Sequence, residues 1–381
     1  MVNSFNSPWR IGTVGIKNRL VRSATNLRMA GPRGEVTDEL IAAHKSLAAG
    51  GIGLVITGHA FVTLDGRAGQ GQIGAYDDRL RQGLERLPEA AHAHAVKILL
   101  QISHGGTRSL PLSGVRMGPS EEAGAMEMTR DDIERVRDGF VSAAALAEKA
   151  GFDGVQIHAA HRYLLSQFLS PLTNRRRDEY GGMEGGVRFV RQIMAGIRLE
   201  VDRPFILSMK IGADTQPNGN DKNDVLRIVK ELIPAGLDCV EISRGYAQTD
   251  ETVATKIKAH VNESYNLDVA VYIKHQVPSL PVIVVGGFRS VEAVERALSQ
   301  KIDAVALSRP LIAEPGLPAR WMQGDRAPSR CVSCSKCIRG EGSVSCACVK
   351  SGAGVTLPQA ARSKEGPSAI NQPRGTLGHV E

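Results

Sequence analysis

The sequence predicts an α/β protein: a closed (β/α)8 TIM barrel with a cysteine-containing C-terminal extension. Three observations carry that expectation. Eight short apolar runs recur along the chain, stretches of helical period separate them, and polar residues gather where the runs end. The runs are Arg19–Thr25, Gly53–Thr57, Lys97–Ser103, Gly154–His158, Phe205–Ile211, Cys239–Ser243, Val282–Gly287 and Ala304–Ser308. Eight strands alternating with helices within 381 residues favour a closed barrel over a doubly wound open sheet.

Between the runs the helical period is explicit. In DDIERVRDGFVSAAALAEKAG, Ile133, Val136, Phe140, Ala144 and Ala147 recur at three and four residues and form one apolar face. Thr129 with Asp131 and Asp132 makes an acidic N-terminus for that helix. The alternation stops near Arg320. Residues 1–330 are therefore expected to form the barrel, 331–350 a cysteine-rich extension packed on or near it, and 351–381 a mobile tail rich in Gly, Pro and Ser.

Composition excludes several classes. Apolar residues at 42%, charged residues at 23% and 41 glycines match a globular α/β chain rather than a disordered or fibrous one. The net charge of +7 is concentrated in Arg320–Glu381, where nine Lys and Arg face four Asp and Glu. With aromatics at 4% and no basic stripe, nucleic acid is not an expected partner. The opening MVNSFNSPWR has no apolar core of signal-peptide length, and no apolar run is long enough for a membrane span. A cytoplasmic protein with no membrane partner is expected, and assembly into a homo-oligomer is compatible with it. Five of the six cysteines lie in Cys331–Cys348, a spacing that suits a metal or redox cluster better than secreted disulfides.

In barrels of this kind, chemistry sits where strands end and the following loops begin. GQGQIG (Gly69–Gly74) fits G-x-G-x-x-G, but no strand directly precedes it and no long helix follows. It is therefore a glycine-rich loop rather than a dinucleotide fingerprint. VVGGF and ALSRP place Gly286, Gly287 and Arg309 at the seventh and eighth strand ends, the usual place for a phosphate in such barrels. Asn26, Gln101 and Lys210 form a second polar set, suited to a flat heterocycle on which a lysine offsets developing negative charge.

The fourth run, DGVQIHAAHRYLLSQFLSP, breaks an apolar stretch with His158 and His161. Two imidazole N–H donors converging on one carbonyl oxygen would stabilise an enolate, as an oxyanion hole does. Zinc is the competing use of the pair, but neither an H-E-x-x-H motif nor a nearby carboxylate supplies a third ligand. Tyr163 is protonated near neutral pH and is placed to donate a proton.

These residues resemble the Old Yellow Enzyme family of FMN-dependent NADH:flavin oxidoreductases, in a short form without added nucleotide-binding domains. The resemblance runs from Pro8 to Cys348. It rests on KNRLVRSAT, GGIGLVITGHAFV, ILLQISHGG, AGFDGVQIHAAHRYLLSQFLSPLTNRRRDEYGG, VIVVGGF and DAVALSRPLIAEP. It implies FMN reduced by NAD(P)H, and reduction of an alkene conjugated to a carbonyl or nitro group. It also implies that Ser23, Ala24, Thr25, Asn26, Gly58 and Gln101 line the flavin, that Lys210 lies by N1 and O2, and that Gly286, Gly287, Ser308 and Arg309 hold the phosphate. His158 and His161 would bind the substrate's activating oxygen, and Tyr163 would protonate the carbon next to it. Arg162 and Arg28 would contribute to substrate binding.

The chain departs from the family at several positions. Arg162 stands where relatives usually carry glycine, so a long cation at the pocket would favour acidic substrates. Glu184-Gly185-Gly186 replaces the family's Glu-Asn-Arg, which predicts weaker local support below the fourth helix. Ser308 replaces a common glycine. Cys331, Cys334, Cys337 and Cys346 are the candidate ligands for zinc or an iron–sulfur cluster, although their spacing differs from that of cluster-binding relatives and free thiols remain the alternative. Two other functional readings keep the flavin: an amine dehydrogenase or demethylase, and a non-catalytic flavin-binding or electron-transfer protein.

Overall fold

The computed structural model describes residues 4–348, apart from 123, 203, 246–260 and 340–341. The expected tail, 351–381, lies outside the described residues. Eight parallel strands form the barrel: β1 Leu20–Arg22, β2 Leu54–Ile56, β3 Lys97–Ser103, β4 Gly154–His158, β5 Ile206–Ile211, β6 Cys239–Ile242, β7 Val282–Val285 and β8 Ala304–Leu307. Each pairs with the next, and β8 pairs with β1 to close the sheet. The strands match the eight apolar runs and are shorter at most ends. Ser23 to Thr25, Ser243, Gly286, Gly287 and Ser308 fall beyond the ladders, in the loops that carry the chemistry.

Helices pack outside the sheet: α1 Asp38–Ala49, α2 Arg81–His92, α3 Arg130–Lys149, α4 Gly182–Glu200, α5 Lys222–Leu232, α6 Leu267–Gln276 and α7 Val291–Ser299. Thr129 caps α3 in a reciprocal box with Asp132, so the acidic start of that helix satisfies its first N–H groups. The apolar stripe Ile133, Val136, Phe140, Ala144 and Ala147 is buried, as its period requires.

Strand alternation splits the core in two. Outward residues such as Ile98, Leu100, Val155, Ile157, Leu207 and Met209 join the helices in one apolar cluster. Inward residues at the strand starts, among them Val21, Leu54, Leu99, Ile206, Ile283 and Ala304, form a second cluster. A hairpin, Trp9–Ile11 paired with Val14–Ile16, adds Trp9, Ile11 and Ile16 to this inner core. Further along the same strands the inward positions turn polar: Ser23, Gln101, Gln156, His158, Lys210 and Glu241 are all buried. The barrel is thus apolar at one end and polar at the end where ligands bind.

The Glu184-Gly185-Gly186 segment corrects an expectation. A Cβ at Gly185 would lie 2.0 Å from the Tyr180 carbonyl carbon, and one at Gly186 would lie 2.3 Å from the Phe168 carbonyl oxygen. The two glycines let the start of α4 press against neighbouring backbone, so they tighten the region rather than loosen it. Asn174 adds hydrogen bonds from Nδ2 to the Phe168 and Tyr180 carbonyls at 2.9 and 2.7 Å. Gly186→Ala is expected to cost about 1–3 kcal/mol, because the obstacle is rigid backbone. Urea denaturation checks this, and an unchanged midpoint would contradict the close approach.

Candidate active site

The fourth strand builds one side of the site. Gln156 and His158 alternate inward along β4, and the register places His158 opposite Lys210 of β5. Beyond the strand, His161 and Arg162 adopt left-handed backbone, with φ of 59° and 64°. Two successive non-glycine residues in this region are strained, which accounts for a glycine preference at the second position. The turn folds the loop back so that His158 and His161 meet edge to face at 5.1 Å and Tyr163 packs edge-on to His158 at 4.9 Å. Tyr163 also opens the short helix Leu164–Leu169.

His59, after β2, completes the group at 5.0 Å from Tyr163 and 6.0 Å from His158. Burial pushes the His59 pKa down to about 4. Burial, reinforced by Lys210, His59 and Arg108, lowers His161 to about 3. Burial, then His161, His59 and Lys210, holds His158 well below its usual value. All three imidazoles are therefore neutral at pH 7, and each offers one N–H and one lone pair. His161 Nε2 lies 2.8 Å from Ser243 Oγ. His158 Nδ1 is buried with no hydrogen-bond partner among the described residues.

The β7 and β8 ends form the second part. Gly287 has φ of 77°, and a Cβ at Gly286 would come within 3.1 Å of Asn266 Nδ2. Ser308 Oγ lies 2.9 Å from Thr25 Oγ1, which joins the eighth strand end to the first. Arg309 is buried, donates to Ser335 Oγ at 2.9 Å, and forms no ion pair among the described residues. A buried guanidinium with only a neutral partner calls for an anion. Near β2, a Cβ at Gly58 would sit 2.9 Å from the Thr25 carbonyl oxygen, so the two loops meet without room for a side chain. Ala24 and Asn26 are half-buried on the same loop, and Asn26 Oδ1 accepts from the Arg28 N–H at 3.0 Å. These residues fit FMN: a cation and glycines for the phosphate, and buried polar groups for the ring.

The remaining candidates are Arg28, Arg162 and the cysteines. Arg28 donates to the Cys337 carbonyl at 3.3 Å, tying the loop after β1 to the cysteine segment. Arg162 is half-buried, and its carbonyl accepts from Gln167 Nε2. The four-cysteine ligand set does not assemble, since no three His, Cys, Asp or Glu side chains form a metal-holding group among the described residues. Instead Cys334 Sγ lies 3.1 Å from Cys348 Sγ, a residue outside the expected set, while Cys331 is buried away from the surface. Other bonds dictate the path of this segment: Arg289 donates to the Cys331 carbonyl and Ser333, and the Val344 N–H donates to the Leu27 carbonyl at 2.8 Å.

Sequence reasoning placed His59 at a strand end without giving it a role, and missed Gln156, Ser243 and Glu241. Glu241 was the most findable, as a lone carboxylate at the centre of an apolar barrel strand, CVEIS.

A barrel with a buried cation and glycines at strands seven and eight, and a polar ring of side chains at the strand ends, fits a phosphorylated heterocycle such as a flavin. A family model described as the NADH:flavin oxidoreductase / NADH oxidase family matches residues 5–327, and the chain belongs to that family. It is 34% identical over 351 residues to an NADH oxidase of Thermoanaerobacter brockii, covering 88% of this chain and 53% of that one. It is 30% identical over 322 residues to an NADPH dehydrogenase of Clostridium acetobutylicum, covering 81% and 91%. The chain thus spans about half the length of the first relative and most of the second. Among solved structures, a 2-naphthoyl-CoA reductase complex superposes with a TM-score of 0.82 at 26% identity, over 91% of this chain and 57% of that one. Morphinone reductase, at 22% identity and a TM-score of 0.72 over 87% and 92%, shares the fold. Fold and family agree, and the family match covers the whole barrel.

Proposed function

We propose that this chain reduces a C=C bond conjugated to a carbonyl or nitro group, with FMN as its cofactor and NAD(P)H as the source of electrons. One observation carries the reading: two neutral imidazoles and a phenol meet at the exit of β4, and the buried His158 Nδ1 has no partner among the described residues. Bound FMN supplies hydride chemistry. Everything else falls to the chain. His158 and His161 offer N–H groups to the activating oxygen, where negative charge grows during the reaction. Because both rings are neutral, they stabilise that charge by hydrogen bonding without giving up a proton. Tyr163, in contact with both His158 and His59, supplies the proton to carbon. Lys210 adds positive charge from the β5 side and helps keep the histidines neutral.

The names carried by the two relatives, NADH oxidase and NADPH dehydrogenase, support the electron source. The test is anaerobic. Protein loaded with FMN and reduced by NADPH or NADH is mixed with 2-cyclohexenone, and return of the oxidised flavin spectrum is expected within each turnover. If an amine reduces the flavin while enones fail to reoxidise it, the protein is an amine dehydrogenase and the proposal is wrong.

A further inference from the structure

Level with His158 and one layer below it, five side chains are bonded into a single chain inside the barrel. Lys210 Nζ donates to Glu241 Oε1 at 2.9 Å and to Ser23 Oγ at 2.7 Å. Ser23 Oγ donates to the same Glu241 oxygen at 2.6 Å. Gln156 Nε2 donates to Glu241 Oε2 at 2.9 Å, and Gln101 Nε2 donates to Gln156 Oε1 at 2.6 Å. Strand register builds the array, with Lys210 opposite Glu241 and Gln101 opposite Gln156. Glu241 and Gln156 are 0% exposed.

Stability alone does not account for this arrangement. Burying a carboxylate and an ammonium costs several kcal/mol per ion before pairing, and branched apolar side chains normally fill this layer of a barrel. The chemistry of the carboxylate gives the array a direction. Glu241 accepts hydrogen bonds and donates none, so Gln156 must turn its NH2 group toward it and its carbonyl toward Gln101. Gln101 must then use its own NH2 group on Gln156, which leaves its Oε1 as the acceptor at the end of the chain. Lys210 has three N–H donors and commits two of them, to Glu241 and Ser23. The array therefore presents one acceptor and one cationic donor, the complement of an imide edge with an N–H beside a carbonyl. The pyrimidine ring of a flavin has that edge.

We infer that Glu241 is a positioning residue for the flavin: it offsets the charge of Lys210 and, through Gln156, orients Gln101 to accept from the imide N–H. The inference rests on the FMN reading above. Reduced flavin carries more negative charge at this edge than oxidised flavin, so an unopposed Lys210 would favour the reduced form. Glu241 opposes that preference and keeps the bound cofactor a stronger reductant.

The experiment measures FMN affinity and midpoint potential of the full chain, by fluorescence titration and by equilibration with a reference dye. Glu241→Gln is expected to shift binding toward reduced FMN by about tenfold relative to oxidised FMN, an upward change of ~30 mV for a two-electron couple. Glu241→Asp keeps the charge and is expected to keep the wild-type potential. Gln156→Leu leaves the Lys210–Glu241 pair intact and is expected to weaken FMN binding about tenfold, a second measurement that stands if Glu241→Gln does not fold. FMN bound to Glu241→Gln at the wild-type potential, or to Gln156→Leu with unchanged affinity, overturns the inference and leaves the flavin reading intact. A wild-type chain that takes up no FMN overturns the flavin reading itself, and the inference with it.

Discussion

Replacing Tyr163 with Phe is expected to slow reoxidation of the reduced flavin by an enone ~100-fold or more, while reduction by NAD(P)H proceeds at the wild-type rate. A positioned general acid contributes about 10²–10⁴-fold, and the substitution removes only the hydroxyl. The ring that packs 4.9 Å from His158 and 5.0 Å from His59 stays in place, so the imidazoles keep their arrangement. Stopped-flow measurement of the two half-reactions separates the outcomes. Equal slowing of both would mean that Tyr163 supports the site's shape, and no slowing would assign the proton to another donor.

The second large effect is expected at His158. Its Nδ1 is buried without a partner among the described residues, so a bound oxygen would satisfy it. His158→Ala is expected to lower kcat/KM for an enone by about 10²–10³, the loss typical of one oxyanion donor. His158→Asn, which keeps a donor, is expected to recover part of the rate. The pH dependence gives an independent check. Because His161 is depressed to about 3 and His158 lies well below its usual value, neither gains a proton as pH falls from 8 to 5. The reoxidation rate is therefore expected to show no histidine step in that range, where an unperturbed imidazole titrates at about 6.5. A step near 6.5 that disappears in His158→Ala would show the ring to be charged in the working enzyme.

Much of the barrel was legible in the sequence because its signal is local. The strands Lys97–Ser103 and Gly154–His158 coincide with their apolar runs. The helix starts at its expected acidic N-terminus, where Thr129 and Asp132 cap it, because capping depends on residues three apart in the chain. The glycines and Arg309 at the seventh and eighth strand ends were also legible, since a strand end is a place defined by pattern. Other features were not local. Gly185 and Gly186 looked like lost support when compared with Glu-Asn-Arg, yet their role depends on the backbone of Tyr180 and Phe168 lying against α4. The cysteines looked like one ligand set by spacing, but bonds from Arg289, Arg309 and Leu27 route the segment so that Cys334 meets Cys348.

By itself, the sequence determined the order of strands and helices, the inward and outward alternation along each strand, and the residue types brought to one barrel mouth. Those follow from periodicity and from chemistry carried by single residues. Only the tertiary structure decided that the three histidines are neutral, that His59 joins His158 and Tyr163, and that Glu241 stands against Lys210. The physical reason is that desolvation and charge pairing depend on distances across strands, and barrel closure and register create those distances between residues far apart in the chain.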